Sequence, residues 1–204
     1  MRRQLNVYTV YMPRLSTTEK ILRAAHQLFD NGGADAVSMR RVAEAVGITP
    51  MAIYRHFPNR GALLKRLSDD SFNTVALEWQ ARAQHPNVLK RLVALLEPYL
   101  DYALIHPHLF DHAFSLRRDD ARRYPKDFRE RQSPTLTIIA DAIVEGMRQG
   151  VLRQDDPWDV AMTLWAHSHG LIALYRAGRF SCDEAQFRNF YLQSLGRLID
   201  GIKS

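Results

Sequence analysis

Only one cysteine stands in the 204 residues. Cys182 has no partner for an internal disulfide, so packing alone must hold the fold, as suits a reducing compartment. Long apolar runs are missing too. The longest are five residues, Leu92–Leu96 and Leu171–Tyr175, against the ~20 that a membrane helix needs. The first fifteen residues, MRRQLNVYTVYMPRL, have neither a clean apolar centre nor a small-residue cleavage site. That argues against a signal peptide, and the expectation is a cytoplasmic protein with no membrane role. No strand-like alternation occurs outside residues 5–12, and there are no repeats and no low-complexity tract. Catalytic signatures are absent as well: no glycine-rich phosphate loop, no H-E-x-x-H, no nucleophile set beside a base. The adjacent acids Asp119-Asp120 and Asp155-Asp156 read as loop charge or helix caps. An enzyme is not expected, and no cofactor is called for.

What is present is charge, unevenly placed. Residues 1–66 hold 11 Lys and Arg against 4 Asp and Glu, while residues 67–204 hold 17 against 18. The whole positive excess therefore lies in the first third. A basic segment on a near-neutral body points to an anionic partner for that segment alone. A non-specific DNA-packaging protein would spread its basic charge over the chain.

The rest of the pattern is helical. Ser16-x-x-Glu19 is a capping box, followed by Ile21, Ala24, Ala25, Leu28 and Phe29 at helical spacing and a stop at Asn31-Gly32-Gly33. A second helix is predicted from Ser38, burying Val42, Ala43 and Val46 and ending at Gly47. The third opens on Thr49 and Pro50 and ends before Pro58. Asn59 caps a fourth that runs to about Gln84. Further helices are expected near 87–105, 107–116, 133–149, 157–178 and 183–202, with a densely charged loop or short exposed helix at 117–132. The fold class is all-α.

Helix, tight glycine turn, short helix is the order of a helix-turn-helix, whose second helix enters the major groove. That accounts for the odd composition of TPMAIYRHFPNR, residues 49–60. Thr49 and Pro50 keep the approach close. Met51 and Ala52 suit base edges and thymine methyls. Tyr54 and His56 offer polar tips to the phosphate backbone, and Arg55 is long enough to reach guanine. Ile53 and Phe57, four apart and apolar, are the core candidates.

Residues 18–64, and above all the order G-I-T-x-x-x-I-Y-x-H-F-x-N-(K/R)-x-x-L-L, resemble the DNA-binding domain of the TetR family of bacterial transcriptional repressors. The resemblance implies that Ser38, Arg40, Thr49, Pro50, Met51, Ala52, Tyr54, Arg55 and His56 face DNA. It implies further that Arg60, where the family usually has lysine, holds a phosphate. Met39 stands where a small hydroxyl residue is common. In the last quarter, Trp165, His169 and Gly170 are similar to the Trp-x-x-x-His-Gly pattern of one subgroup's ligand-binding half.

From the resemblance follow three parts. These are an arm at 1–15, expected to be flexible, with Arg2, Arg3 and Arg14 as candidates to touch DNA, a three-helix helix-turn-helix domain at 16–62, and a helical ligand-binding and dimerisation domain at 63–204. The expected function is repression by a homodimer on a palindromic double-stranded operator, released by a small apolar or aromatic effector. An activator, or a non-specific helical DNA-binding protein without an effector, is the alternative. Tyr99, Tyr102, Leu109, Phe110, Phe114, Ile138, Leu164, Trp165 and His169 are expected to enclose the effector, with Tyr or His tips orienting it. Phe187, Tyr191, Leu195, Leu198 and Ile202, part of a stripe too wide for one buried side, are expected in the dimer interface with Gly170, which allows close backbone approach. His106, His108 and His112 near Asp111 lack a persuasive fourth ligand, so no metal is expected.

Overall fold

A computed structural model describes residues 15–115 and 121–204, so the expectations for Arg2, Arg3 and Arg14 and for residues 117–120 fall outside it. Among the described residues the regular structure is helical, apart from a lone antiparallel bridge between Leu152 and Lys203. The chain divides into two compact units, Met1–Leu64 and Lys65–Ser204.

In the first unit, α1 (Thr17–Ala36) begins with the Ser16/Glu19 capping box. Two backbone N–H groups that a helix start leaves orphaned are satisfied there reciprocally. The expected stop at Asn31-Gly32-Gly33 is a break in the backbone. Gly32 and Gly33 leave helical geometry, Gly33 at φ 67°, before one further turn to Ala36. Ser38 caps α2 (Met39–Val46), and Gly47 ends it at φ 74°, ψ 33°, a left-handed geometry that costs a glycine nothing. Thr49 caps the four-residue α3 (Pro50–Ile53). Ile21, Ala25, Phe29, Val42, Ala43, Ile53 and Leu63 are fully buried and form the small core.

α4 (Arg60–Arg82) leads into the second unit, with Asn59 Oδ1 accepting from the Ala62 N–H at 2.8 Å. Then follow α5 (Val88–Ile105), α6 (Pro107–Phe110) passing into a π-helical turn over Asp111–Ser115, and a short α7 (Lys126–Arg129). The last three are α8 (Pro134–Arg148), α9 (Pro157–Arg176) and α10 (Glu184–Asp200). Every long helix here starts on a side-chain cap: Asn87, Ser133, Asp156 and Asp183. Helix α5 packs on α8, α9 and α10, which makes it the central element. Its Leu92, Leu95, Leu96, Tyr99 and Leu100 are buried against Ile139 and Ile143 of α8, Leu164 and Ile172 of α9, and Phe187, Tyr191 and Leu195 of α10. The Tyr191 hydroxyl donates to the Leu96 carbonyl at 2.8 Å, and Arg188 pairs with Asp101 at 2.6 Å, pinning α10 to α5. Among the described residues no helix is long and apolar enough to cross a membrane.

Candidate functional site

The front of α3 is held out from the first unit by two anchors. Ile53 is fully buried and Phe57 is 6% exposed, which fixes the short helix through one face. The opposite face is open. Met51 is 72% and Tyr54 49% exposed, and Thr49, Pro50, Arg55 and His56 are exposed beside them. Such exposure rules out a core role for Tyr54. Arg40 is exposed on α2, while Ser38 and Ala52 are half-buried, Ser38 accepting the Arg41 N–H as N-cap. Met39 is buried, so it packs rather than meets solvent. Among the described residues Arg40, Arg41 and Arg55 have no acidic partner at ion-pair distance. Their charge is free for an anion.

Two details of this face were not legible in the sequence. His56 Nδ1 lies 3.0 Å from Thr18 Oγ1, so the first turn of α1 orients the ring that follows α3. Arg60, expected at a phosphate, has protein acceptors as well. Its Nε donates to the Val37 carbonyl at 2.7 Å and its Nη2 to the Ala34 carbonyl at 2.6 Å, with Asp35 at 3.8 Å. Arg60 thus ties the start of α4 to the α1–α2 connection, and a planar guanidinium is the side chain that can serve two acceptors in this way.

In the second unit an aromatic cluster centres on Tyr99. Phe110, Phe114, Trp165, His169 and Trp79 lie around its ring at centroid distances of 5.1–6.4 Å. The Tyr99 hydroxyl and His169 Nδ1 are 2.9 Å apart, and His169 stacks on Phe110. Burial holds the Tyr99 phenol well above its ordinary pKa and His169 below its own, so both are neutral at pH 7. Arg176 grips Asp111 through both of its terminal nitrogens and lies over the Phe110 ring. His167, two residues from His169, instead meets Ser194 of α10 at 3.0 Å, as the helical period requires.

Beside this cluster is a cavity of about 330 Å³. Of the residues expected around an effector, Phe114 and Trp165 line it. Tyr99, Leu109, Phe110 and Leu164 are instead at most 2% exposed, part of the solid core, because the rings and side chains around Tyr99 fill the space between α5, α6 and α9. Tyr102 and His169 also lie off its walls, and Ile138 sits on a different face of α8, at a depression with Arg91 and Gln80. Sequence reasoning missed Trp79 and Lys65 of α4 and Ser133 and Leu136 at the start of α8, all of which do line the cavity.

The residues expected in the dimer interface divide by burial in the same way. Phe187, Tyr191 and Leu195 are fully buried within the protomer. Phe187 stacks on Tyr175 at 4.0 Å, and no surface of these three is left for a second copy. Gly170, Leu198 and Ile202 are half-buried, and a Cβ on Gly170 would meet nothing within 4 Å. The large apolar side chains left outside on α9 and α10 are Leu174 (49% exposed) and Phe190 (39% exposed).

Comparison with known proteins finds separate matches for the first and the later part of the chain. Residues 21–67 match the family described as bacterial regulatory proteins, tetR family, and residues 92–196 match the tetracyclin repressor-like C-terminal domain. The chain is 28% identical to the HTH-type transcriptional repressor AcnR of Corynebacterium diphtheriae over 162 residues, 74% of this chain and 80% of that one. It is 40% identical to the HTH-type transcriptional repressor DrrR1 of Streptomyces coeruleorubidus over 53 residues, 26% of this chain and only 20% of that protein. A protein of unknown function from Rhodococcus sp. RHA1 has the same fold, with a TM-score of 0.80 at 20% identity, covering 96% of this chain and all of the other.

Proposed function

This chain belongs to the TetR family of bacterial regulatory proteins and is a DNA-binding transcriptional regulator; from that premise we propose that it is a cytoplasmic repressor, released from a palindromic operator by a small molecule. The observation that carries the DNA half is the α3 front. Thr49, Pro50, Met51, Tyr54, Arg55 and His56 stand exposed at a helix whose other side is locked by Ile53 and Phe57, flanked by Arg40 and Arg41, which have no acidic partner among the described residues. Arg40, Arg55 and Arg60 supply phosphate or guanine contacts, Ser38, Tyr54 and His56 polar contacts to the backbone, and Met51 and Ala52 apolar contacts to bases. We draw the boundary between DNA-binding and effector domains at 62/63, two residues before the division of the chain after Leu64, and the Trp165, His169 and Gly170 pattern supports reading the second domain as one of the Trp-x-x-x-His-Gly subgroup.

A single short recognition helix reads few bases, so two copies on one duplex are required for specificity, with half-sites ~34–36 Å apart. The second copy is assigned to the outer faces of α9 and α10, at Gly170, Leu174, Phe190 and Leu198. The effector, a mostly apolar molecule, is assigned to the cavity bordered by Phe114 and Trp165. It acts by favouring a dimer whose α3 helices no longer match successive major grooves. The test is an unbiased selection of duplex DNA with the purified protein, followed by titration of the selected site against a metabolite set. A palindromic site bound by a dimer and released by a member of the set is the expected result. Binding indifferent to sequence would instead favour a non-specific DNA protein.

A further inference from the structure

The cavity has two unlike ends. Trp79 and Lys65 both line it and both belong to α4, fourteen residues and therefore ~21 Å apart along one helix. At the Trp79 end the walls are aromatic, since Trp79, Phe114 and Trp165 all gather around Tyr99. At the other end Lys65 is paired with Asp69 at 2.8 Å, and both are substantially exposed. The volume of about 330 Å³ has room for about eleven water-sized groups.

Trp79, which borders the aromatic end, carries an unmet polar group. Trp79 is 1% exposed, and its indole Nε1–H, sealed from water, has no hydrogen-bond partner among the described residues. An unsatisfied buried donor costs free energy, and buried donors left so are rare. Indole N–H is a donor only, so what it lacks is an acceptor. A charged acceptor is disfavoured at this end, because the neighbouring rings supply no counter-charge and desolvating a carboxylate there is expensive.

We propose that the cavity binds an elongated apolar molecule of about ten to fifteen non-hydrogen atoms that carries a neutral carbonyl-type oxygen at its inner end, which accepts the Trp79 Nε1–H bond. The apolar body runs along Phe114, Trp165, Leu136 and Ile139. The outer end lies toward Lys65 and Asp69, where water and charge are both tolerated. This proposal rests on the reading of the cavity as the effector site. It replaces the expected Tyr or His orienting group by tryptophan.

The test uses the full-length protein and four probes, with direct binding read by calorimetry. They are 2-undecanone, its methylene isostere 2-methyl-1-undecene, decanoate and decylamine. The expected result is that the ketone binds about tenfold more tightly than the isostere, the scale of one satisfied buried donor. Trp79→Phe should abolish that ratio while leaving the isostere's affinity within twofold. Should Trp79→Phe fail to fold, the wild-type ratio still decides. Equal binding of ketone and isostere, tighter binding of decanoate or decylamine, or no binding of the ketone up to its solubility limit overturns the proposal. The expected ratio in a protein whose operator complex ignores the ketone supports the acceptor assignment and counts against the effector role alone.

Discussion

The hydroxyl of Tyr99 and Nδ1 of His169 stand 2.9 Å apart at the centre of the second unit, each enclosed by aromatic rings. Burial lowers the His169 pKa, with the nearby Asp111 opposing that shift and Arg176 adding to it. A histidine whose folded pKa is depressed stays neutral in both states above ~6.5. Below that value the unfolded chain takes up the proton first, so stability falls as pH falls. The protein should therefore unfold at lower denaturant at pH 5.5 than at pH 7.5. His169→Gln should shrink that difference, though His167, also lowered by burial, keeps part of it. An unchanged pH slope in the variant would remove His169 from the account.

Arg60 and Arg55 are both exposed arginines at the DNA-facing unit, yet their surroundings separate them. Arg60 is bonded to the carbonyls of Ala34 and Val37, whereas Arg55 has no acidic partner among the described residues. Arg60→Ala should weaken binding to every DNA sequence and lower the slope of log affinity against log salt by about one unit. It should also lower the melting temperature. Arg55→Ala should leave the melting temperature in place and relax the preference at one base pair of each half-site. Thermal melts paired with a salt titration on specific and random duplexes distinguish the two.

Gly47 sets the angle between α2 and α3 at φ 74°, and a Cβ there would touch nothing within 4 Å. Substitution by alanine therefore meets backbone strain without a clash. Gly47→Ala should cost about 1 kcal/mol of stability, measured by urea unfolding. Operator affinity should drop by more than that, because the misdirected turn moves Thr49 and the α3 front. A variant with native stability and native affinity would show that the turn does not need its left-handed geometry.

Helix starts were legible because their chemistry is local. Ser16 with Glu19, Ser38, Thr49, Asn87, Ser133, Asp156 and Asp183 each bond a backbone N–H within three residues, and short-range sequence contains both partners. The α3 face was legible for the same reason, through Ile53 and Phe57 four apart. The cavity was not. It is the space left between α4, the turn at Asp111–Ser115, residues 121–132, α8 and α9, and nothing in the pattern around Trp79 says that its N–H finds no acceptor among the described residues. Nor does a wide apolar stripe say which side faces its own protomer. On α10 the inner row is Phe187, Tyr191, Leu195 and Ile199, all buried, and the row beside it is Phe190 and Leu198.

That second row supplies the last prediction. Burial of Phe187, Tyr191 and Leu195 within one protomer makes them stability residues, and Phe187→Ala should cost about 3–5 kcal/mol in unfolding free energy by opening a core cavity. Leu174 and Phe190 are different: each is exposed in the protomer, on α9 and α10, although the Phe190 ring also meets Phe180 at 5.6 Å. An arginine at either position should be tolerated by the isolated fold, because it points to water. Across an apolar contact with a second copy it would be an unpaired buried charge, a penalty of several kcal/mol in association. Leu174→Arg and Phe190→Arg should therefore keep a native circular dichroism spectrum, sediment as monomers, and lose tight binding to a two-half-site operator. Leu198→Arg, at a half-buried position, should do the same with some loss of folding stability. Leu174→Arg and Phe190→Arg proteins that remained dimers would place the contact between copies on another face of the second unit.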